Sequence, residues 1–259
     1  MSTVLLEKHP GYALLTLNRP AQKNALSREL RAAFVAALED CCRDEAVRVL
    51  IITGAGDAFC AGFDLKELGS GDSANAAEEV NNAMARAMEA FDGPIIGAIN
   101  GHAITGGFEL ALACDILIAS ENARFADTHA RVGILPGWGL SQRLPRLVGL
   151  SRAREIAFTG LPVSAQQARE WGLVNHVLPA EELLSRAKAM AEAMCACVPE
   201  ILRQYKAMID RGYSMPLNEA LAWEEEQAIA SARRASAELI ESRRQGVIER
   251  GRREREGGT

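Results

Sequence analysis

An alternation of two apolar patterns constrains this chain most. Residues 11–18 (GYALLTLN) and 47–53 (VRVLIIT) are short apolar runs rich in Val, Ile, Leu and Thr that end at turn-forming residues, as buried strands do. Between them Leu30, Phe34, Leu38 and Cys41/Cys42 return at helical spacing behind Ser27, a favourable N-cap residue. The same reading predicts strands over 94–99, 115–119 and 173–178, and helices over 76–91, 106–114, 139–149, 151–158 and 164–170. Strands that alternate with helices imply an α/β architecture. From about residue 180 the strand signal ends. Leu183, Ala187, Met190 and Met194, then Ile201, Tyr205 and Met208, then Leu221 and Ile229, keep a helical period. The expected organisation is an α/β domain over 1–195 and a helical region over 196–259. Residues 69–75 (GSGDSAN) have the composition of a mobile loop, and the charge-dense tail from 243 that of a solvated helix end.

Composition narrows the function. With 259 residues and 48% hydrophobic content the chain can build a sizeable core. Its 29 Lys and Arg against 34 Asp and Glu leave a net charge of -5, so no general field draws it to a polyanion and nucleic acid is not an expected partner. Charged residues interrupt every apolar run well before the roughly 18 residues a membrane span needs. The opening MSTVLLEKHPGY resembles neither a signal nor a transit peptide, and a cytoplasmic location is expected. The six cysteines have neither zinc-finger nor thioredoxin spacing and read as small buried hydrophobes in a reducing cell. The four histidines, His9, His102, His129 and His176, form no H-E-x-x-H, and no metal is expected.

The glycine pairs Gly54-Ala-Gly56, Gly69-Ser-Gly71 and Gly137-Trp-Gly139 lack the third glycine of a dinucleotide fingerprint, and neither a P-loop nor a G-x-S-x-G elbow occurs. Two other turns stand out. Ala58-Phe-Cys-Ala-Gly-Phe-Asp64 follows the 47–53 strand, where small residues can expose backbone N–H groups. Asn100 to Leu110 (NGHAITGGFEL) follows the 94–99 strand and opens a helix at Gly106-Gly107, where unpaired amides meet the positive end of a helix dipole. Together the turns could supply two donors to one developing oxyanion. Glu109 lies in Phe108 to Cys114, a segment otherwise apolar on every side. A carboxylate there is either a general base or an ion-paired structural residue.

These residues, taken in order, resemble the enoyl-CoA hydratase/isomerase (crotonase) superfamily. The resemblance runs through Leu17-Asn-Arg-Pro20 with Asn24-Ala-Leu26, Phe59 to Asp64, Ile99-Asn-Gly101, Gly106 to Leu110 and Cys114-Asp115. It continues through Ala123-Arg-Phe125, Gly133 to Gly137, Gln142-Arg-Leu144, Thr159-Gly160 and Ala168 to Val174. It implies a crotonase-like spiral of ββα units with a C-terminal helical trimerisation region, assembled as a homotrimer or homohexamer. It also implies an acyl-CoA thioester substrate, with no cofactor other than the CoA that the substrate carries.

By the same resemblance the backbone N–H groups of Phe63 and Gly106 form the oxyanion hole, and Glu109 is the first of the two glutamates that hydratases use. His129 stands where the second is expected, which is the main departure; it could still exchange a proton near neutrality, its unperturbed pKa being about 6.5. Asp127 could take that role only if the segment shifted register. CoA contacts are expected from the backbone of Cys60 and Ala61, from Asp64, and from Lys23, Lys66 and Arg19. The implied activity is that of a lyase, an enoyl-CoA hydratase. The alternatives are an enoyl-CoA isomerase working with one carboxylate and a catalytically silent crotonase-fold binding protein.

Overall fold

The computed structural model describes residues 2–64, 66–67 and 83–236, together with 238, 240, 241, 243, 244, 246, 248, 251 and 252. The expected loop at 69–75, the first turns of the expected 76–91 helix and most of the tail from 243 lie outside the described residues. The chain divides into two compact units, Met1–Gln204 and Tyr205–Thr259. The expected boundary at 195 falls at the end of a helix inside the first unit.

The first unit opens with strands β1 (Val4–His9) and β2 (Tyr12–Leu17), an antiparallel pair, followed by helix α1 (Arg28–Arg43). Ser27 caps α1, its side chain accepting from the Leu30 amide, and the buried face is Leu30, Phe34, Leu38 and Cys41. A pattern then repeats three times. A long strand is followed by a three-residue strand displaced into a second sheet: β3 (Val49–Gly54) then β4 (Ala58–Cys60), β5 (Ile95–Ile99) then β6 (His102–Ile104), and β7 (Ile116–Ser120) then β8 (Arg124–Ala126). Helix α2 (Ala83–Ala90) comes between the first two repeats, α3 (Gly106–Leu112) closes the second, and α4 (His129–Val132) follows the third. Helices α5 (Leu140–Val148) and α6 (Leu150–Thr159), strand β9 (Val163–Ser164), helix α7 (Ala165–Glu170), strand β10 (His176–Leu178) and helix α8 (Leu183–Cys195) complete the core.

The large sheet has the order β1-β2-β3-β5-β7-β10 and is parallel from β2 onward. The small sheet runs β4-β6-β8-β9, with β4, β6 and β8 parallel. Corresponding strands therefore stack in both sheets, which makes the fold a spiral of ββα units. The long strands read as unbroken apolar runs because the large sheet is covered on both faces. Leu15, Leu17, Leu50, Ile52, Ile95 and Ile99 face the main core. Leu14, Val49, Ile51, Ile96, Ala98 and Ile118 face Leu183, Ala187 and Ala191 of α8. Leu183 is thus buried by its own chain, and Met190 packs against that same cluster.

Two asparagines brace the corners between sheets. Asn24, fully buried with φ 55, accepts from the Arg19 amide and donates to the Ala55 and Ala58 carbonyls. Asn100 accepts from the Gly54 amide and donates to the Gly56 and Ala58 carbonyls. Both satisfy backbone groups that the sharp turn leaves without ladder partners. In the helical part of the chain, α9 (Pro199–Tyr213) precedes α10 (Leu217–Arg234), and Arg211 lies 4.6 Å above the Trp223 ring.

Candidate active site

The two small-residue turns meet. A Cβ added to Gly62, where φ is +87, would lie 3.2 Å from the Gly106 nitrogen, and one added to Gly106 would lie 3.4 Å from the Phe63 ring. Gly107 lets α3 approach β4 closely, since a Cβ there would fall 2.0 Å from the Cys60 carbonyl oxygen. Leu26 donates to the Gly62 carbonyl and pairs with Phe63 in a parallel bridge. In that pattern the Leu26 groups make the bonds and the amide of Phe63 points to the opposite side. Gly106 is the first residue of α3, so its amide has no partner inside the helix. The peptide before it is strained: Thr105 has φ 53 and ψ -110, a region that favours glycine. Its hydroxyl bonds that of Thr128 and accepts from the Thr128 amide, which holds the turn in place.

Glu109 projects from the first turn of α3 and is 1% exposed. Its Oε1 accepts from the Trp138 amide at 2.7 Å, with the Leu140 amide at 3.5 Å, and its Oε2 lies 3.5 Å from Nε2 of His129. His129, at the start of α4, is equally buried, and its Nδ1 is 2.7 Å from Oδ1 of Asp127. The same Asp127 oxygen accepts from the His129 backbone amide at 3.1 Å. Burial works against charge on the imidazole, but the hydrogen bonds to Asp127 and Glu109 outweigh it and push the His129 pKa up to about 9. The expectation of a histidine titrating near its ordinary value is therefore corrected. Between two carboxylates it is an imidazolium at neutral pH.

Asp127 thus meets the imidazole at Nδ1 and Glu109 meets it at Nε2. Phe63 and Trp138 make an edge contact at 5.3 Å between ring centres, so the turn carrying the first amide touches the segment that anchors Glu109. The Nε1 of Trp138 is buried without a hydrogen-bond partner.

The residues expected to contact CoA are placed less uniformly. Lys23 is ion-paired with Asp57, and Arg19 with Asp64 at 3.1 Å. The Ala61 amide donates to the Lys23 carbonyl, so of its backbone groups only the carbonyl is left for a ligand. Cys60 is fully buried in β4, with its carbonyl packed under Gly107. Asp64 also accepts from the Lys66 amide, and Lys66 is exposed.

Sequence reasoning missed the amide of Trp138, the role of Asp127 and the Thr105–Thr128 contact. The Gly137-Trp-Gly139 pair was a usable signal: glycines around a bulky residue mark a backbone that must pass close to something. What it passes is the Glu109 carboxylate.

The sequence profile described as Enoyl-CoA hydratase/isomerase matches residues 7–250. A probable peroxisomal enoyl-CoA hydratase 1 of Arabidopsis thaliana is 44% identical over 85% of this chain and 83% of its own. A short-chain-enoyl-CoA hydratase of Clostridium acetobutylicum is 37% identical over 87% and 88%. The crystal structure of an enoyl-CoA hydratase from Bacillus anthracis superposes with a TM-score of 0.88 at 36% identity, covering 94% of this chain and 96% of that one.

Proposed function

Because the chain belongs to the enoyl-CoA hydratase/isomerase family, we propose that it adds water across the C2–C3 double bond of a 2-enoyl-CoA thioester, or removes it in reverse. The observation that carries this reading is the buried contact between Glu109 and His129, beside the Phe63 amide, which points away from its bridge, and the Gly106 amide, which has no partner within its helix. The Phe63 and Gly106 amides hold the thioester oxygen and stabilise the enolate; losing one such donor typically costs about 3–4 kcal/mol. Glu109 takes a proton from water as the water oxygen bonds to C3. The double-bond electron pair moves into the enolate, and C2 takes the Nε2 proton of His129. The proton then passes from Glu109 to His129 across their 3.5 Å contact, which restores both groups. One H and one OH have been added.

Isomerisation needs only one proton carrier, whereas this site holds a base and an acid together, which favours hydration. Crotonyl-CoA and a 3-enoyl-CoA separate the readings. A hydratase bleaches the conjugated-thioester absorbance of crotonyl-CoA, and an isomerase generates that absorbance from the 3-enoyl-CoA. Inertness toward both would leave only the silent binding reading.

We also propose a homotrimer or homohexamer, because α9 and α10 leave Ile201, Ile209, Leu217 and Leu221 exposed along amphipathic helices. A cytoplasmic location is supported by six free thiols, although the Arabidopsis relative's name places that protein in peroxisomes. No helix among the described residues is long and apolar enough to cross a membrane. The CoA of the substrate is the only cofactor this reading requires.

A further inference from the structure

We propose that Asp127 is the positioning residue that lets a histidine serve as the acid at this site, by fixing the Nδ1 proton so that Nε2 alone exchanges with substrate and with Glu109. The inference rests on the hydratase reading. Asp127 and His129 are both buried, and a single Asp127 oxygen holds the imidazole Nδ1 at 2.7 Å and the His129 amide at 3.1 Å. A carboxylate accepts only, so Nδ1 must carry a hydrogen. That leaves Nε2 directed to Glu109 Oε2 at 3.5 Å.

The tautomer matters in the second half of the cycle. After Nε2 gives its proton to C2, a neutral ring held as Nδ1–H presents a lone pair on Nε2, which can receive the proton from Glu109. The opposite tautomer would place N–H there and block the return. Thr128, between the two residues, is tied to Thr105 by its amide and its hydroxyl, so the segment is anchored to the turn that orients Gly106.

Glu109 from α3 and Asp127 from the preceding strand end are the charged groups that act on the imidazole among the described residues. Arg131 of α4 donates instead to the Thr159 carbonyl, and Arg152, Arg154 and Glu155 of the neighbouring α6 are exposed.

The test combines imidazole ¹⁵N NMR with kinetics on the full chain, the His129 signal being assigned by its loss in His129→Gln. In the wild type the neutral ring at high pH should be the Nδ1–H tautomer. In Asp127→Asn the His129 titration and the alkaline limb of kcat should fall together by more than about one pH unit. At pH 8 kcat for crotonyl-CoA should drop at least about 10-fold, with KM within about 3-fold, and acidification should recover part of the loss. A wild-type Nε2–H tautomer would overturn the proposal even if Asp127→Asn does not fold. So would a variant whose His129 titration is unmoved. A wild type that fails to hydrate crotonyl-CoA, while Asp127→Asn still shifts the His129 titration, would overturn the hydratase reading and leave the positioning role standing.

Discussion

A glutamate that is 1% exposed in an otherwise apolar helix needs partners, and Glu109 finds them in the Trp138 amide and the His129 ring. Glu109→Gln keeps the shape and removes the base, so kcat for crotonyl-CoA should fall about 10²–10⁴-fold while circular dichroism stays native. Near wild-type turnover would remove Glu109 from the mechanism. His129 carries a pH prediction for the fold as well. Its pKa is higher in the folded chain, about 9, than the ordinary 6.5, so the charged ring contributes stability that is fully present below about pH 6.5 and is lost as pH rises through about 9. The contribution is on the order of 3 kcal/mol at most. Urea midpoints should decline across that window in the wild type and much less in His129→Gln. Equal slopes would mean that the ring is not charged in the fold.

Helix α3 and strand β4 act together because Gly107 allows their backbones to touch. Gly107→Ala forces the Cys60 carbonyl and the helix apart, which should destabilise by roughly 1–3 kcal/mol as overpacking does. Since the displaced elements carry Gly106, Glu109 and the approach to Phe63, hydration should fall with it. A variant with unchanged melting temperature and activity would show that the approach is looser than the contact implies. Strands β2, β3, β5 and β7 of the large sheet and helices α1, α3, α5, α6 and α7 were legible in the sequence because their patterns run over several residues, and β10 lies within the longer run 173–178, whereas β1 (Val4–His9) was not expected as a strand. The three-residue strands β4, β6 and β8 were not legible, since so short a segment has no period to detect and exists only through pairing with its neighbours in the spiral.

At the scale of the molecule the apolar periodicity after residue 180 has two outcomes. In α8 it is absorbed by the large sheet, through Leu183, Ala187 and Ala191. In α9 and α10 much of it remains in solvent, with Leu217 74% exposed. Light scattering should therefore return three or six times the 27.9 kDa chain mass, and a strictly monomeric mass at micromolar concentration would contradict the assembly. The pattern alone could not separate the two cases, because periodicity shows that a face is apolar and says nothing of what covers it.

Local chemistry written into the chain determined the α/β alternation, the Ser27 cap, the two glycine turns and the buried Glu109. Each depends on residue type and spacing over a few positions. The tertiary structure decided what depends on distance between remote segments. It set Trp138 and His129 on one carboxylate 20 to 29 positions away, placed Asp127 behind the imidazole, and drew Thr105 into a strained turn latched by Thr128. The charge on His129 belongs to the same class. A histidine's pKa is set by the groups that surround it in space, and here those are two carboxylates brought together only by the winding of the spiral.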